Sequence, residues 1–207
     1  MDNATLAKLE NLVFEAKKKP AAAANTTADI IGVLVGLKPA MVGYFDFDEY
    51  HNFPVEEFIE LLEKINLKVL FFKRSRIGLN DSKWEEQIYI SSSFELAVKT
   101  HNAFEELWNT MDDHGQIFDF QKWTNATREI GRLLGYPETA TEYFISHRNT
   151  NDENRRKILA RNRYYLHSPE HEEEEYQSYD FKLNQAVAEL APKTAEIFTS
   201  DKNKRWL

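Results

Sequence analysis

Two stretches of this chain, about half its length apart, run through nearly the same order of residues. The first is Ile31-Gly32-Val33-Leu34-Val35-Gly36-Leu37-Lys38-Pro39-Ala40-Met41-Val42-Gly43-Tyr44-Phe45. The second is Ile130-Gly131-Arg132-Leu133-Leu134-Gly135-Tyr136-Pro137-Glu138-Thr139-Ala140-Thr141-Glu142-Tyr143-Phe144. With one residue's slack at the turn, Ile, Gly, Leu, Gly, Pro, Tyr and Phe fall in register. Each stretch reads as a helix closed by a left-handed glycine and stopped by a proline. The expected fold is therefore helices meeting at corners, with a two-fold internal repeat of helix, Gly-x-Pro corner and helix. Residues 1–207 form a single domain, with related halves 3–66 and 92–167, an inserted β pair at 67–91 and a C-terminal helix at 169–198. Tyr44/Phe45 and Tyr143/Phe144 are the expected equivalent core anchors.

The flanking patterns agree with helices. Leu6, Leu9, Val13 and Ala16 recur at helical spacing, so residues 3–19 form an amphipathic helix ended by Pro20. Residues 20–26 read as a connector, with Thr26 or Thr27 capping the helix that leads into the first corner. Pro54 opens a helix with the stripe Val55, Phe58, Leu62 and Ile65. Ser92-x-x-Glu95 is a capping box ahead of a helix carrying Phe94, Ala97, His101, Phe104 and Trp108. Asp119 caps the next, with Trp123, Thr127, Ile130 and Leu134 in register; residues 138–147 and 153–167 form two more. Ser168-Pro169 starts the last long helix, which Pro192 interrupts. Only two segments, at about 67–74 and 87–91, are rich in apolar and aromatic residues yet too short for helices; they read as an antiparallel β pair. The fold class is α+β and mainly helical, with about eight or nine helices.

Composition narrows function by exclusion. A hydrophobic share of 42% is that of a globular chain. A net charge of −8 argues against a dedicated nucleic-acid coat and leaves room for a local basic patch. The absence of cysteine removes disulfides, thiolate metal sites and thiol nucleophiles. The start Met1-Asp2-Asn3-Ala4 does not follow the basic-then-apolar pattern of a signal peptide, and no apolar run reaches the ~18 residues of a membrane span. The expected location is the cytoplasm.

The corners Gly36-Leu37-Lys38-Pro39 and Gly135-Tyr136-Pro137, followed by Tyr179-Asp180 and Ala191-Pro192-Lys193-Thr194, resemble an uncharacterised archaeal domain-of-unknown-function family. The similar segments cover about half of the chain. The resemblance implies kinship of fold and a cytoplasmic location, and it carries no activity. Some members of that family bear cysteines after the corner, where this chain has Thr139, Ala140 and Thr141, so no thiol chemistry is carried over.

The strongest candidate contact surface is Asn154-Arg155-Arg156-Lys157-Ile158-Leu159-Ala160-Arg161-Asn162-Arg163-Tyr164-Tyr165-Leu166-His167. Five basic residues in nine reverse the local sign of an acidic protein. Arginine forks suit phosphate or carboxylate, and tyrosine stacks on a base. Arg156, Lys157, Arg161, Arg163 and Tyr164 are the candidate anion-binding residues. The plainer reading is a solvated helix neutralised by Glu170 and Glu172–Glu175. A second candidate is His167 with His171, four apart and followed by Glu174 and Glu175, as a metal or acid–base pair. Ser168-Pro169 between them reads as a helix start, which places the imidazoles on either side of an N-cap. Asp46, Asp48, Glu49 and His51 form an acidic loop without the calcium-loop pattern. Lys73, Arg74, Arg76, Lys83 and Trp84 surround the β loop, as either a single-strand nucleic-acid contact or protection of a sheet edge. His101 is expected as a partnered core histidine, and His114 at a helix terminus.

The expected function is a non-enzymatic binding or adaptor protein whose basic helix, 155–167, contacts an anionic ligand: RNA, a phosphorylated molecule or an acidic protein. The alternative is a metal-dependent or acid–base enzyme using His167, His171 and nearby glutamates. No cofactor is implied. Nucleic acid, another polyanion or a protein is the expected partner, without a membrane.

Overall fold

The structure, a computed structural model, describes residues 2–17, 19–46, 53–75, 84–112, 115–147 and 167–200. The elements in chain order are α1 (Asn3–Ala16), α2 (Pro20–Leu34), β1 (Ala40–Asp46), α3 (Val55–Lys64), β2 (Lys68–Ser75), β3 (Trp84–Ser91), α4 (Phe94–Trp108), α5 (Phe120–Leu133) and α6 (Glu138–Ser146). After residue 167 come a short α7 (Glu172–Glu175), a π-helical turn (Tyr176–Asp180), α8 (Phe181–Leu190) and α9 (Pro192–Ser200). The chain is mainly helical α+β.

The sheet is larger than a pair. β3 lies in the middle, antiparallel to both β1 and β2. The short apolar segment after Pro39 is therefore an edge strand, with Met41 opposite Ile90 and Val42 opposite Tyr89. Pro39, which has no N–H to offer a ladder, sits just outside it. Alternation then splits the sheet between two cores. Met41, Val69, Ile88 and Ile90 face the cluster built by Leu6, Leu9 and Val13 of α1, Ile30 of α2, Phe58 and Leu62 of α3, and Leu183 and Val187 of α8. Val42, Leu70, Phe72 and Tyr89 face Ala97 and Phe104 of α4 and Ile130 and Leu133 of α5. The sheet is the middle layer, with helices packed against both of its faces.

Several local expectations shift. α2 begins at Pro20 itself, so residues 20–26 are helical and not a connector. Proline is preorganised for the first turn and the alanines behind it are the best helix formers. Thr26 and Thr27 are buried inside this helix, and Thr27 Oγ1 donates to the Ala23 carbonyl at 3.0 Å. The cap of α4 is Ser93, whose side chain accepts from the Leu96 N–H, one residue later than expected. The last long helix starts at Glu172 and widens into the π-helical turn before α8. Pro192 does separate α8 from α9.

The first corner runs into β1, so the helix–corner–helix order belongs to the second corner alone. The corners themselves use one hydrogen-bond pattern. Leu37 N–H reaches the Gly32 carbonyl at 2.9 Å and Tyr136 N–H the Gly131 carbonyl at 2.8 Å. Gly36 and Gly135 stand at φ +76° and +75°. A third helix ends the same way. Asn66 (φ 61°) closes α3, and Leu67 N–H returns to the Leu62 carbonyl at 2.9 Å before β2. Since it leads into a strand, the first corner matches α3–β2 more closely than α5–α6. Tyr44 and Tyr143 accordingly lie on a strand and a helix.

α9 is capped from the far end of the chain. The buried Glu10 of α1 accepts from the Thr194 N–H at 2.7 Å, meeting a helix N-terminus with a carboxylate. Glu10→Ala is expected to cost about 1–2 kcal/mol, the value of a lost cap. Urea unfolding checks this, and Glu10→Gln should recover most of the loss.

Candidate functional site

Residues 148–166 lie outside the described residues, and with them Arg156, Lys157, Arg161, Arg163 and Tyr164. So do Asp48, Glu49, His51, Arg76, Lys83 and His114. Lys73 and Arg74 stand opposite Glu86 and Glu85 in the β2–β3 register. His101 stacks on Phe72 with ring centroids 3.5 Å apart, and its Nδ1 makes no hydrogen bond among the described residues. That departs from the partnered histidine expected, and burial lowers its pKa.

The basic stretch ends at a built cluster. His167 is 1% exposed, and its Nε2 lies 2.8 Å from Asp180 Oδ2. Asp180 is the last residue of the π-helical turn. This turn is wider than an α-helical one and carries Tyr179 and Asp180, both buried, inward together. Beside the pair is the buried Glu175. It accepts from Thr139 Oγ1 at 2.5 Å and from the Ser168 N–H at 3.0 Å. Burial pushes the Glu175 carboxyl above its ordinary range, against those hydrogen bonds and the nearby imidazoles of His167 and His171. His171 itself is on the open side, its Nδ1 3.6 Å from Glu174. His167 is thus enclosed and His171 half-exposed, and among the described residues no three His, Cys, Asp or Glu side chains are grouped to hold a metal.

Tyr179 joins this cluster to a second one between the corners. The Lys38 side chain, 2% exposed, pairs with Asp29 of α2. Its Nζ also lies 5.5 Å from the centre of the Tyr136 ring. Burial opposes the Lys38 charge, but the Asp29 carboxylate and the Tyr136 and Tyr179 side chains together outweigh it, so the ammonium is held above its ordinary pKa. Burial also pushes the Tyr136 and Tyr179 phenols upward, which keeps both protonated at neutral pH. Lys17 faces the same Asp29, and burial lowers its pKa.

The two corners touch here. A Cβ on Gly135 would meet the Leu37 carbonyl at 2.5 Å and Lys38 Cα at 3.0 Å. A Cβ on Gly32 would meet the Lys38 stem at 2.8 Å. Glycines in the motifs therefore seat one corner on the other and let a lysine pass between them. Comparison with protein-family models, with curated proteins and with solved structures returns no match. Geometry and sequence are therefore the grounds for function.

The sequence pattern picks out His167, His171 and Glu175 and places Tyr179 on a buried stripe, but it assigns no site role to Asp29, Lys38, Tyr136 or Asp180. The available signal was polarity out of place. Asp29 adjoins Ile30 and Ile31, and Tyr179-Asp180 sits on the buried stripe of a helix.

Proposed function

We propose that the chain is a non-enzymatic binding protein whose basic stretch 155–167 contacts a polyanion, with single-stranded RNA as the ligand class it suits best. The observation that carries the reading is the anchoring of His167. The residue where the basic stretch ends is locked to Asp180, and the next residue donates its N–H to Glu175. A basic segment tethered to the folded body by its last residue is a suitable presenting device. In addition, the Glu175 oxygens accept from Thr139 and Ser168. Of the acidic run expected to neutralise the patch, at least this member is thus engaged elsewhere. Phosphate contact by arginine, with tyrosine stacking, is the chemistry such a stretch provides.

Fluorescence anisotropy with labelled single-stranded RNA tests it. Affinity is expected to fall steeply as salt rises, with a log–log slope of about −0.7 per phosphate contact. Arg156→Glu combined with Arg163→Glu is expected to abolish binding while leaving the unfolding midpoint unchanged. Absence of binding at low salt rules the reading out. Equal binding of RNA and a polyglutamate chain would replace RNA by an acidic protein partner.

A further inference from the structure

An imidazole sits where α4 meets the sheet. The His101 ring lies flat on Phe72 of β2, with centroids 3.5 Å apart and planes within 4°. Tyr89 of β3 stands across it at 75°, its centroid 5.3 Å away. Phe72 and Tyr89 belong to the second core, with Ala97 and Phe104 of α4. The Nδ1 atom of His101 is closed to solvent and meets no hydrogen-bond partner among the described residues, and Nε2 does not share that enclosure. The neutral ring therefore fits with its hydrogen on Nε2 and the bare lone pair of Nδ1 on the dry side. Protonation adds a second N–H, at Nδ1, where no acceptor meets it.

The charged groups on α4 and on the elements packed against it are engaged elsewhere, with one exception. Lys99 of α4 pairs with Glu129 of α5 at 2.9 Å, and Arg128 of α5 pairs with Glu142 of α6. Lys68 of β2 lies by Glu63 and over the Phe94 ring. The Tyr89 hydroxyl donates to Gln87 at 2.8 Å. The exception is Glu105, one turn along α4, whose charge reaches His101. Its carboxylate favours the imidazolium, as does the face of Phe72, but neither stands as an acceptor at Nδ1.

We propose that the His101–Phe72 stack is an acid-sensitive joint: the neutral ring fastens α4 to the sheet, and protonation at Nδ1 drives the ring out of the stack and loosens the helical layer on that face. The direction follows from the dry Nδ1 without an acceptor. Burial lowers the pKa of His101 from an ordinary 6.5, in agreement with it. With the folded value below the unfolded one, the unfolded chain binds more protons. The contribution of His101 is therefore complete above the unfolded value and is lost as pH falls through the folded value. The joint does not depend on the ligand proposed above.

NMR of the wild-type protein reads the joint directly. His101 is expected as the Nε2–H tautomer at about pH 7.5, to titrate below the ordinary histidine value, and to lose its ring-to-ring nuclear Overhauser contact with Phe72 as it does so. Urea unfolding reads the linkage to stability. Between about pH 7.5 and about pH 5 the folding constant of the wild type is expected to fall about tenfold more than that of His101→Phe, which keeps a stacking ring and has no nitrogen to protonate. An Nδ1–H tautomer, a titration at or above the ordinary value, or a protonated ring still stacked on Phe72 would overturn the joint. So would an equal fall in the two proteins.

Discussion

Asp29→Ala is expected to lower the stability of the protein by about 3–5 kcal/mol in urea unfolding, among the largest effects of any single polar substitution here. The reason lies in the asymmetry of the pair. Lys38 is 2% exposed, whereas Asp29 is 30% exposed. Removing the carboxylate leaves an ammonium enclosed between Tyr136, Tyr179 and the two corners. Removing the lysine leaves a carboxylate that water reaches, so Lys38→Met is expected to cost less. The double variant Asp29→Ala with Lys38→Met is expected to recover most of the loss, since neither charge then remains. The Asp29→Ala deficit also has a definite pH sign. Without its partner, burial depresses the folded pKa of Lys38 below the unfolded value, the unfolded state binds more protons, and stability rises with pH. A loss below about 1 kcal/mol, or one that is flat with pH, would show that this pair does not organise the junction.

Gly135→Ala is expected to cost about 2–5 kcal/mol, against about 1–2 kcal/mol for Gly36→Ala. The two glycines share a left-handed φ, so both variants carry the same backbone strain. Space separates them. Nothing lies within 4 Å of a Cβ on Gly36, while a Cβ on Gly135 meets the Leu37 backbone at 2.5 Å. A backbone carbonyl cannot swing aside as a side-chain tip does, so the corners would have to part. Equal losses for the two variants would refute the seating of one corner on the other. Thermal unfolding under identical conditions is sufficient to compare them.

The matched motifs reach as far as the helix end and no further. Gly36 and Gly135 close their helices with the same backbone hydrogen bonds because both problems are local: a helix end leaves carbonyls unmet, and a left-handed glycine meets them. Asn66 solves the same problem for α3. A shared cap is thus a property of helix ends, and it fits the sequence echo without requiring that the halves be copies. Whether the chain continued as strand or helix was settled elsewhere. Ala40–Asp46 is a strand because β3 offers an edge to it, and nothing in the segment itself names that partner.

The apolar stripes of α1, α3, α4 and α5 were legible in the residues alone, because a half-buried helix must repeat its apolar positions every three or four residues. The glycine stops, the two central β segments and the mainly helical class were legible for the same reason: each is a local pattern imposed by backbone geometry. The polar junction was not. Asp29 and Lys38 lie nine residues apart in sequence, His167 and Asp180 thirteen, and Thr139 and Glu175 thirty-six. Pairings at such separations have no period, and a charged residue on a helix reads as solvent-facing until a neighbour covers it. Only the tertiary structure decided that these groups would be enclosed, since the cost of burying each charge is met by a partner that another element delivers.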